Sequence, residues 1–179
     1  MFFINKIKHW LHNRNYKSKV EYLRSQGAKI GDRTRLNCTT NSFGTEPYLI
    51  TVGNDCLFAN NISIITHDGG VSVLNNLDYF NGEKMDKIAP VTIGNNVYIG
   101  TSAMIMPGVK IGNNVVIGAH AMVTHDIPDN SLAVGIPARC IKNIDEYYNS
   151  SKEKGLFVPT VRLNQKDKKT YLLKFYEGR

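Results

Sequence analysis

The stretch IGNNVYIGTSAMIMPGVKIGNNVVIGAHAMV, residues 93–123, decides the architecture of this chain. Aliphatic side chains recur in it at every sixth position: Ile93, Ile99, Ile105, Ile111, Ile117 and Val123. An α-helix returns its buried face about every 3.6 residues and a strand about every 2, so a period of six means short strands broken by turns at fixed intervals. Small or aliphatic residues follow four positions later, at Val97, Ala103, Val109, Val115, Ala121 and Ile127. Gly94, Gly100, Gly112 and Gly118 stand directly after repeat positions, and Asn95-Asn96 and Asn113-Asn114 follow two of them. Glycine and asparagine tolerate positive φ best, which marks these sites as corners.

A longer period lies over the first. Ile93-Gly94-Asn95-Asn96-Val97 returns as Ile111-Gly112-Asn113-Asn114-Val115, and Ile99-Gly100 returns as Ile117-Gly118, each eighteen residues on. Three hexads then make one coil of a triangular solenoid, with Ile93 under Ile111, Ile99 under Ile117 and Ala103 under Ala121. The expectation is an all-β parallel β-helix built on hexapeptide repeats.

The register extends upstream. Val52-Gly53-Asn54-Asp55-Cys56, Phe58-Ala59 and Ile64 form another coil, but Val52 and Ile93 are 41 residues apart, 23 more than one coil needs. The excess is expected as a long loop leaving the prism at about residues 70–92, where Asn75, Asn76, Asn81, Gly82 and Pro90 mark turns. Ile30-Gly31-Asp32 and Leu36 open the first coil, which reaches Val52 after 22 residues, so four extra residues are absorbed near Phe43 to Pro47. Register is lost after Ile127, where Asp129 takes the next position.

Three segments follow. Residues 1–29, with Phe2, Phe3, Ile4, Ile7, Trp10, Leu11, Val20, Tyr22 and Leu23 at helical spacing, read as a short helical cap on the open coil. A basic amphipathic helix touching a membrane surface is the other reading of that segment. Residues 30–142 form the repeat domain, and residues 143–179, without the six-residue period, form a C-terminal helix and tail.

Composition narrows the classes. The chain has 179 residues, is 42% hydrophobic and carries a formal net charge of +7. This length supports one solid core. No apolar run approaches the roughly 18 residues that span a bilayer, and the N-terminus lacks the apolar stretch of a secretory signal. Cys38, Cys56 and Cys140 are odd in number and lack metal or redox spacing, which fits free thiols in the cytoplasm. Lys and Arg concentrate at the two ends rather than along the repeat, which argues against a nucleic-acid groove and favours small phosphorylated partners or an anionic membrane surface.

The residues from Ile93 to Arg139, with IGNNVYIG, MPGVKIG, VIGAHAMVTHDIP and GIPAR, resemble the hexapeptide-repeat acetyltransferases. Within that family the chain is most similar to galactoside and maltose acetyltransferases and to O-acetyltransferases of bacterial capsule and surface polysaccharide. The resemblance covers roughly residues 30–142. It implies a left-handed coil, acetyl-CoA as donor, no metal, a homotrimer with its sites between subunits, and a sugar or glycan-precursor acceptor.

The chemistry can be set out independently. A hydroxyl attacks a thioester poorly at neutral pH, so a base must take its proton, and histidine suits the task. A donor must also meet the oxyanion of the tetrahedral intermediate. Of five histidines, His9 and His12 lie in the cap and read as surface residues. His67 lies where the chain leaves the prism for its excursion, at the position the resemblance assigns to the catalytic base. Asp68, adjacent, is the candidate to orient it through water or across a subunit boundary, and Asn37 resembles an acceptor-binding asparagine.

On the donor side, the resemblance runs pantetheine past Gly100-Thr101 and Ala119, with Thr101 as the oxyanion or thioester contact. Thr124 and His125 match further contacts, His125 standing where the family commonly has lysine. Arg139 and Lys142 match basic residues near the adenosine phosphates, where a guanidinium fork suits phosphate.

Other functions share this fold. Ala119-His120 and His125 are similar to the two-histidine segment of γ-class carbonic anhydrases, which with His67 would give three imidazoles for zinc. A scaffold without catalysis is a second alternative. Among transferases, an enzyme acting on streptogramin-type antibiotics and an amino-sugar N-acetyltransferase would use the same histidine chemistry.

Overall fold

The computed structural model describes residue 13 and residues 15–177; the apolar positions from Phe2 to Leu11, and His9 and His12, lie outside the described residues. The chain forms two compact units, Met1–Ile144 and Asp145–Arg179. In the first, short strands visit three sheets in rotation. One sheet holds β1 (Lys29–Ile30), β3 (Ile50–Val52), β6 (Val91–Ile93) and β9 (Lys110–Ile111) in that order. The second holds β2 (Arg35–Leu36), β4 (Leu57–Phe58), β7 (Tyr98–Ile99), β10 (Val116–Ile117), β12 (Ser131–Val134) and β13 (Arg139–Asn143). The third holds β5 (Ser63–Ile64), β8 (Met104–Ile105) and β11 (Met122–Val123). All pairs are parallel except β12 with β13. We call three successive strands a rung.

The rungs stack in the register that the repeat predicts. Ile93 pairs with Ile111, Ile99 with Ile117 and Ile105 with Val123. The 41-residue and 22-residue offsets are equally clean, with Val52 opposite Ile93 and Ile30 opposite Val52. The repeat residues point inward and are buried, with Ile99, Ile105, Ile117, Val123, Val91 and Phe58 fully enclosed. Each such side chain removed from water contributes about 1.5–3 kcal/mol before the entropy of ordering is counted.

The corners follow the expected rule at Asn96 and Asn114 but not at the glycines. Gly94, Gly100, Gly112 and Gly118 are not the residues at positive φ; those are Asn96 (54°), Ser102 (57°), Asn114 (55°) and His120 (57°), two positions later. The glycines are needed because rungs touch. A Cβ on Gly94 would lie 2.6 Å from the carbonyl oxygen of Gly112, and one on Gly100 would lie 2.5 Å from the amide nitrogen of Ala119. The asparagines form ladders instead: the Asn54 amide donates to Asn95 Oδ1, Asn95 to Asn113 Oδ1, and Asn113 to Asp129 Oδ1, at 2.7–2.9 Å.

That ladder runs on past Ile127, where the six-residue spacing gives way. Ile127 bridges Ile111 in parallel, and Leu132 and Ala133 pair with Val116 and Ile117. A further turn is made in sixteen residues instead of eighteen, and β13 then folds back on β12.

The helix Tyr16–Ser25 covers the opposite end. Asn15 caps it through a bond from the Ser18 amide, and Val20 and Leu23 join the core. Lys19 Nζ donates to the carbonyls of Leu36 and Asn37, and Arg24 Nε to that of Ile30. These cations occupy carbonyls at an edge that a neighbouring chain would otherwise pair with. The four extra residues of the first rung appear as two 3-10 turns, Thr40–Phe43 and Pro47–Leu49. The excursion after β5 is not a plain loop: it contains a helix, Val71–Asn76, and Asn75 pins its return by paired bonds with the backbone of Met85, both at 2.9 Å.

Of the two C-terminal helices, Ile144–Glu153 carries Tyr148, which stacks on Phe157 beyond its end, and Gln165–Glu177 carries the pair Tyr171 on Phe175. Among the described residues no helix is long and apolar enough to cross a membrane.

Candidate active site

His67 sits at the neck of the excursion. Thr66, His67 and Asp68 leave β5 and run antiparallel to residues 87–89: Ala89 N donates to Thr66 O and Asp68 N to Lys87 O, both at 2.8 Å, with His67 bridged to Ile88. Backbone bonds on both sides of the histidine fix its main chain. Its side chain is 52% exposed.

The imidazole is oriented by a residue that the sequence reading missed. Glu46 Oε2 lies 3.0 Å from His67 Nδ1 and also accepts the Thr66 hydroxyl at 2.6 Å, while Oε1 accepts the Thr45 hydroxyl at 2.6 Å. The Glu46 side chain is 16% exposed. Bonds from Thr45, Thr66 and His67 hold its carboxyl down at about 2, so it is ionised at neutral pH. An ionised carboxylate only accepts, so Nδ1 carries the proton and Nε2 of the neutral ring holds a free lone pair. A ring held in this way is able to accept a proton at Nε2.

Asp68, expected in the orienting role, faces elsewhere. Its Oδ2 is 2.7 Å from Lys87 Nζ and its Oδ1 accepts the Gly70 amide at 2.9 Å, so Glu46 takes the place assigned to it. The lysine holds the Asp68 carboxyl below its ordinary range. The signal for Glu46 was the four-residue irregularity of the first rung: those turns carry one acidic residue and bring it against the rung above.

Asn37 follows β2, the outermost strand of the six-stranded sheet, and is exposed; its amide donates to Phe58 O and its carbonyl accepts Lys19 Nζ. His67 follows β5 of another sheet, and no hydrogen bond between the two is seen among the described residues. Gly100-Thr101 and Ala119 do meet, stacked on successive rungs, with His120 N donating to Thr101 O at 2.8 Å. Thr101 and Ala119 are exposed there, whereas the small size of Gly100 serves the backbone above it.

His125 and Arg139 come together in a shallow cleft of about 270 Å³ with Asp126, Ile127, Ala138 and Cys140. Thr124 Oγ1 is 2.8 Å from His125 Nδ1, and Arg139 is exposed. Lys142 lies beyond, in β13, paired with Leu132. His120 is an exposed corner residue, and among the described residues of one chain no three His, Cys, Asp or Glu side chains group as metal ligands.

Comparison with known proteins identifies the family. Residues 90–125 match the bacterial transferase hexapeptide (six repeats) family. Protein CapG of Staphylococcus aureus is 44% identical over 159 residues, covering 88% of this chain and 89% of that protein. The crystal structure of a maltose O-acetyltransferase from Clostridium difficile 630 superposes with a TM-score of 0.52 at 31% identity, covering 72% of this chain and 75% of the other. A galactoside acetyltransferase in complex with coenzyme A gives a TM-score of 0.52 at 26% identity over 74% of this chain and 73% of that one. The chain belongs to the hexapeptide-repeat acetyltransferases. It is accordingly an acyltransferase.

Proposed function

We propose that this protein transfers the acetyl group of acetyl-CoA to a hydroxyl of a sugar or glycan precursor, in capsule or surface-polysaccharide synthesis. The observation that carries the reading is the Glu46–His67 pair, an imidazole with its Nδ1 proton held by an ionised carboxylate. Similarity to maltose and galactoside acetyltransferases and to CapG supports the acceptor class, and the coenzyme A bound by the galactoside enzyme supports the donor.

Nε2 of His67 takes the proton of the acceptor hydroxyl as its oxygen attacks the thioester carbonyl. The resulting imidazolium is stabilised by Glu46. When the tetrahedral intermediate collapses, the carbon–sulfur bond breaks and the thiolate takes the proton back from Nε2. No covalent acyl-enzyme is required, because donor and acceptor are held together. Asn37 contributes to acceptor binding. Pantetheine lies along Gly100, Thr101 and Ala119, with Thr101 meeting the oxyanion; Thr124 and His125 make further contacts with the cofactor, and Arg139 and Lys142 receive the adenosine phosphates.

In this reading the three sheets wind as a left-handed triangular coil, residues 30–142 form the catalytic domain between the helical cap and residues 143–179, and the working form is a cytoplasmic homotrimer. The basic N-terminal segment provides any peripheral membrane contact. The test is incubation with labelled acetyl-CoA and a panel of glycan precursors, read by mass. Acetylation of a sugar hydroxyl supports the reading; acetylation confined to an amino group or to a streptogramin-type antibiotic overturns the acceptor.

A further inference from the structure

The C-terminal helix Gln165–Glu177 reads QKDKKTYLLKFYE and has no buried residue. Leu173 is 53% and Tyr176 55% exposed. A helix of 13 residues is marginal in water on its own, so this one is suited to a surface that takes up its apolar side chains. Lys168, Leu172 and Tyr176 follow one another at intervals of four, as do Lys169 and Leu173, which sets them on one side of the helix. These five residues lie along one open groove of about 550 Å³.

Charge decides what such a face can meet. The helix carries Lys166, Lys168, Lys169 and Lys174 against Asp167 and Glu177. Asp167 is engaged at the first turn, where its Oδ2 accepts Asn164 Nδ2 at 2.7 Å and its amide donates to Asn164 Oδ1 at 2.9 Å. Among the described residues no carboxylate pairs with any of the four ammoniums. A protein packed into this groove would bury Lys168 and Lys169 among apolar side chains, and a second copy of the same face would set ammonium against ammonium. A lipid surface imposes neither cost. The lysine stems lie along the acyl boundary while the ammoniums reach the headgroup phosphates, and tyrosine favours the same depth.

We propose that this helix docks on an anionic phospholipid surface, with Leu172, Leu173 and Tyr176 in the interfacial layer and Lys168 and Lys169 on the headgroup phosphates. The contact is additional to that of the N-terminal segment and independent of the acetyl-transfer chemistry. Each lysine at an anionic leaflet strengthens binding about fivefold, so the pair accounts for about thirtyfold. The leucines must contribute as well, which distinguishes docking by this face from the general attraction of a chain of net charge +7 to any anionic surface.

The experiment is sedimentation of the full chain with vesicles of phosphatidylcholine alone or mixed with phosphatidylglycerol, at physiological ionic strength. The expected result is binding to the mixed vesicles only. Lys168→Gln with Lys169→Gln should weaken it about thirtyfold, and Leu172→Asn with Leu173→Asn at least about tenfold at unchanged charge. Lys29→Gln with Lys110→Gln, which removes the same charge from exposed positions of β1 and β9, should change it by less than about threefold. A reporter placed by Tyr176→Trp, with the chain's one tryptophan removed by Trp10→Phe, should be quenched by brominated acyl chains. Absence of binding to the mixed vesicles, equal weakening by the two lysine pairs, or wild-type binding in the leucine variant overturns the proposal. An unquenched reporter on vesicle-bound protein does the same. So does sedimentation velocity without vesicles in which the leucine variant alone has lost a subunit, which gives the face to a second copy of the chain.

Discussion

Glu46 Oε2 and His67 Nδ1 are 3.0 Å apart, brought together from positions 21 residues apart in the chain. The glutamate comes from the irregular turns of the first rung and the histidine from the exit of the second. Because Thr45 and Thr66 also donate to Glu46, the carboxylate is fixed before the ring meets it. Glu46→Gln keeps the shape but leaves the imidazolium without its counter-charge. We expect turnover to fall by about one to three orders of magnitude with the KM for acetyl-CoA little changed, as read by steady-state kinetics.

The same bonds make Glu46 a source of acid sensitivity. Its folded value of about 2 lies below its ordinary value of 4.5, so its contribution is complete above about 4.5 and is lost as pH falls toward 2. Urea unfolding of wild type and Glu46→Gln should differ by on the order of 1–3 kcal/mol at pH 6, and the gap should narrow by pH 3. An unchanged gap would remove the carboxylate's role in stability.

Rung stacking gives a prediction independent of catalysis. In Gly94→Ala the new methyl meets the Gly112 backbone at 2.6–2.7 Å, and neither strand can yield without breaking the ladder. We expect a loss of about 1–3 kcal/mol. Gly69→Ala, where nothing lies within 4 Å of the added carbon, should change stability by less than about 0.5 kcal/mol. Chemical denaturation of the two variants side by side checks the contrast.

Arg139 and His125 share a cleft whose lining includes neither Glu46 nor His67. Arg139→Ala should raise the KM for acetyl-CoA with little effect on turnover, the signature of lost ground-state binding. The reverse pattern in initial-rate kinetics would place the guanidinium at the reacting centre.

The residues that were legible in the sequence are those under the strictest spatial constraint. Ile93 lies over Ile111 because every hexad buries the same two positions and the rungs stack them in register, and the offsets of 22 and 41 residues survive as Ile30 against Val52 and Val52 against Ile93. The corner glycines were found for an incomplete reason: stacking, not positive φ, forbids their side chains, and that is a property of two rungs together. The irregularity near Phe43 to Pro47 marked where Glu46 lies, but its partner was not legible, for the same kind of reason. It lies in the stretch that breaks the repeat, and its partner is set by how the first rung lies against the second. Asp68, adjacent to His67 in sequence, turns instead to Lys87 across the neck.

The central claim is that His67 is the base for acetyl transfer, and single-turnover kinetics of His67→Ala with labelled acetyl-CoA tests it most directly. Calorimetry on the same variant reports whether the donor still binds. The account predicts binding within a few-fold of wild type and transfer slower by about two to four orders of magnitude. Transfer at the wild-type rate with the imidazole absent would contradict it.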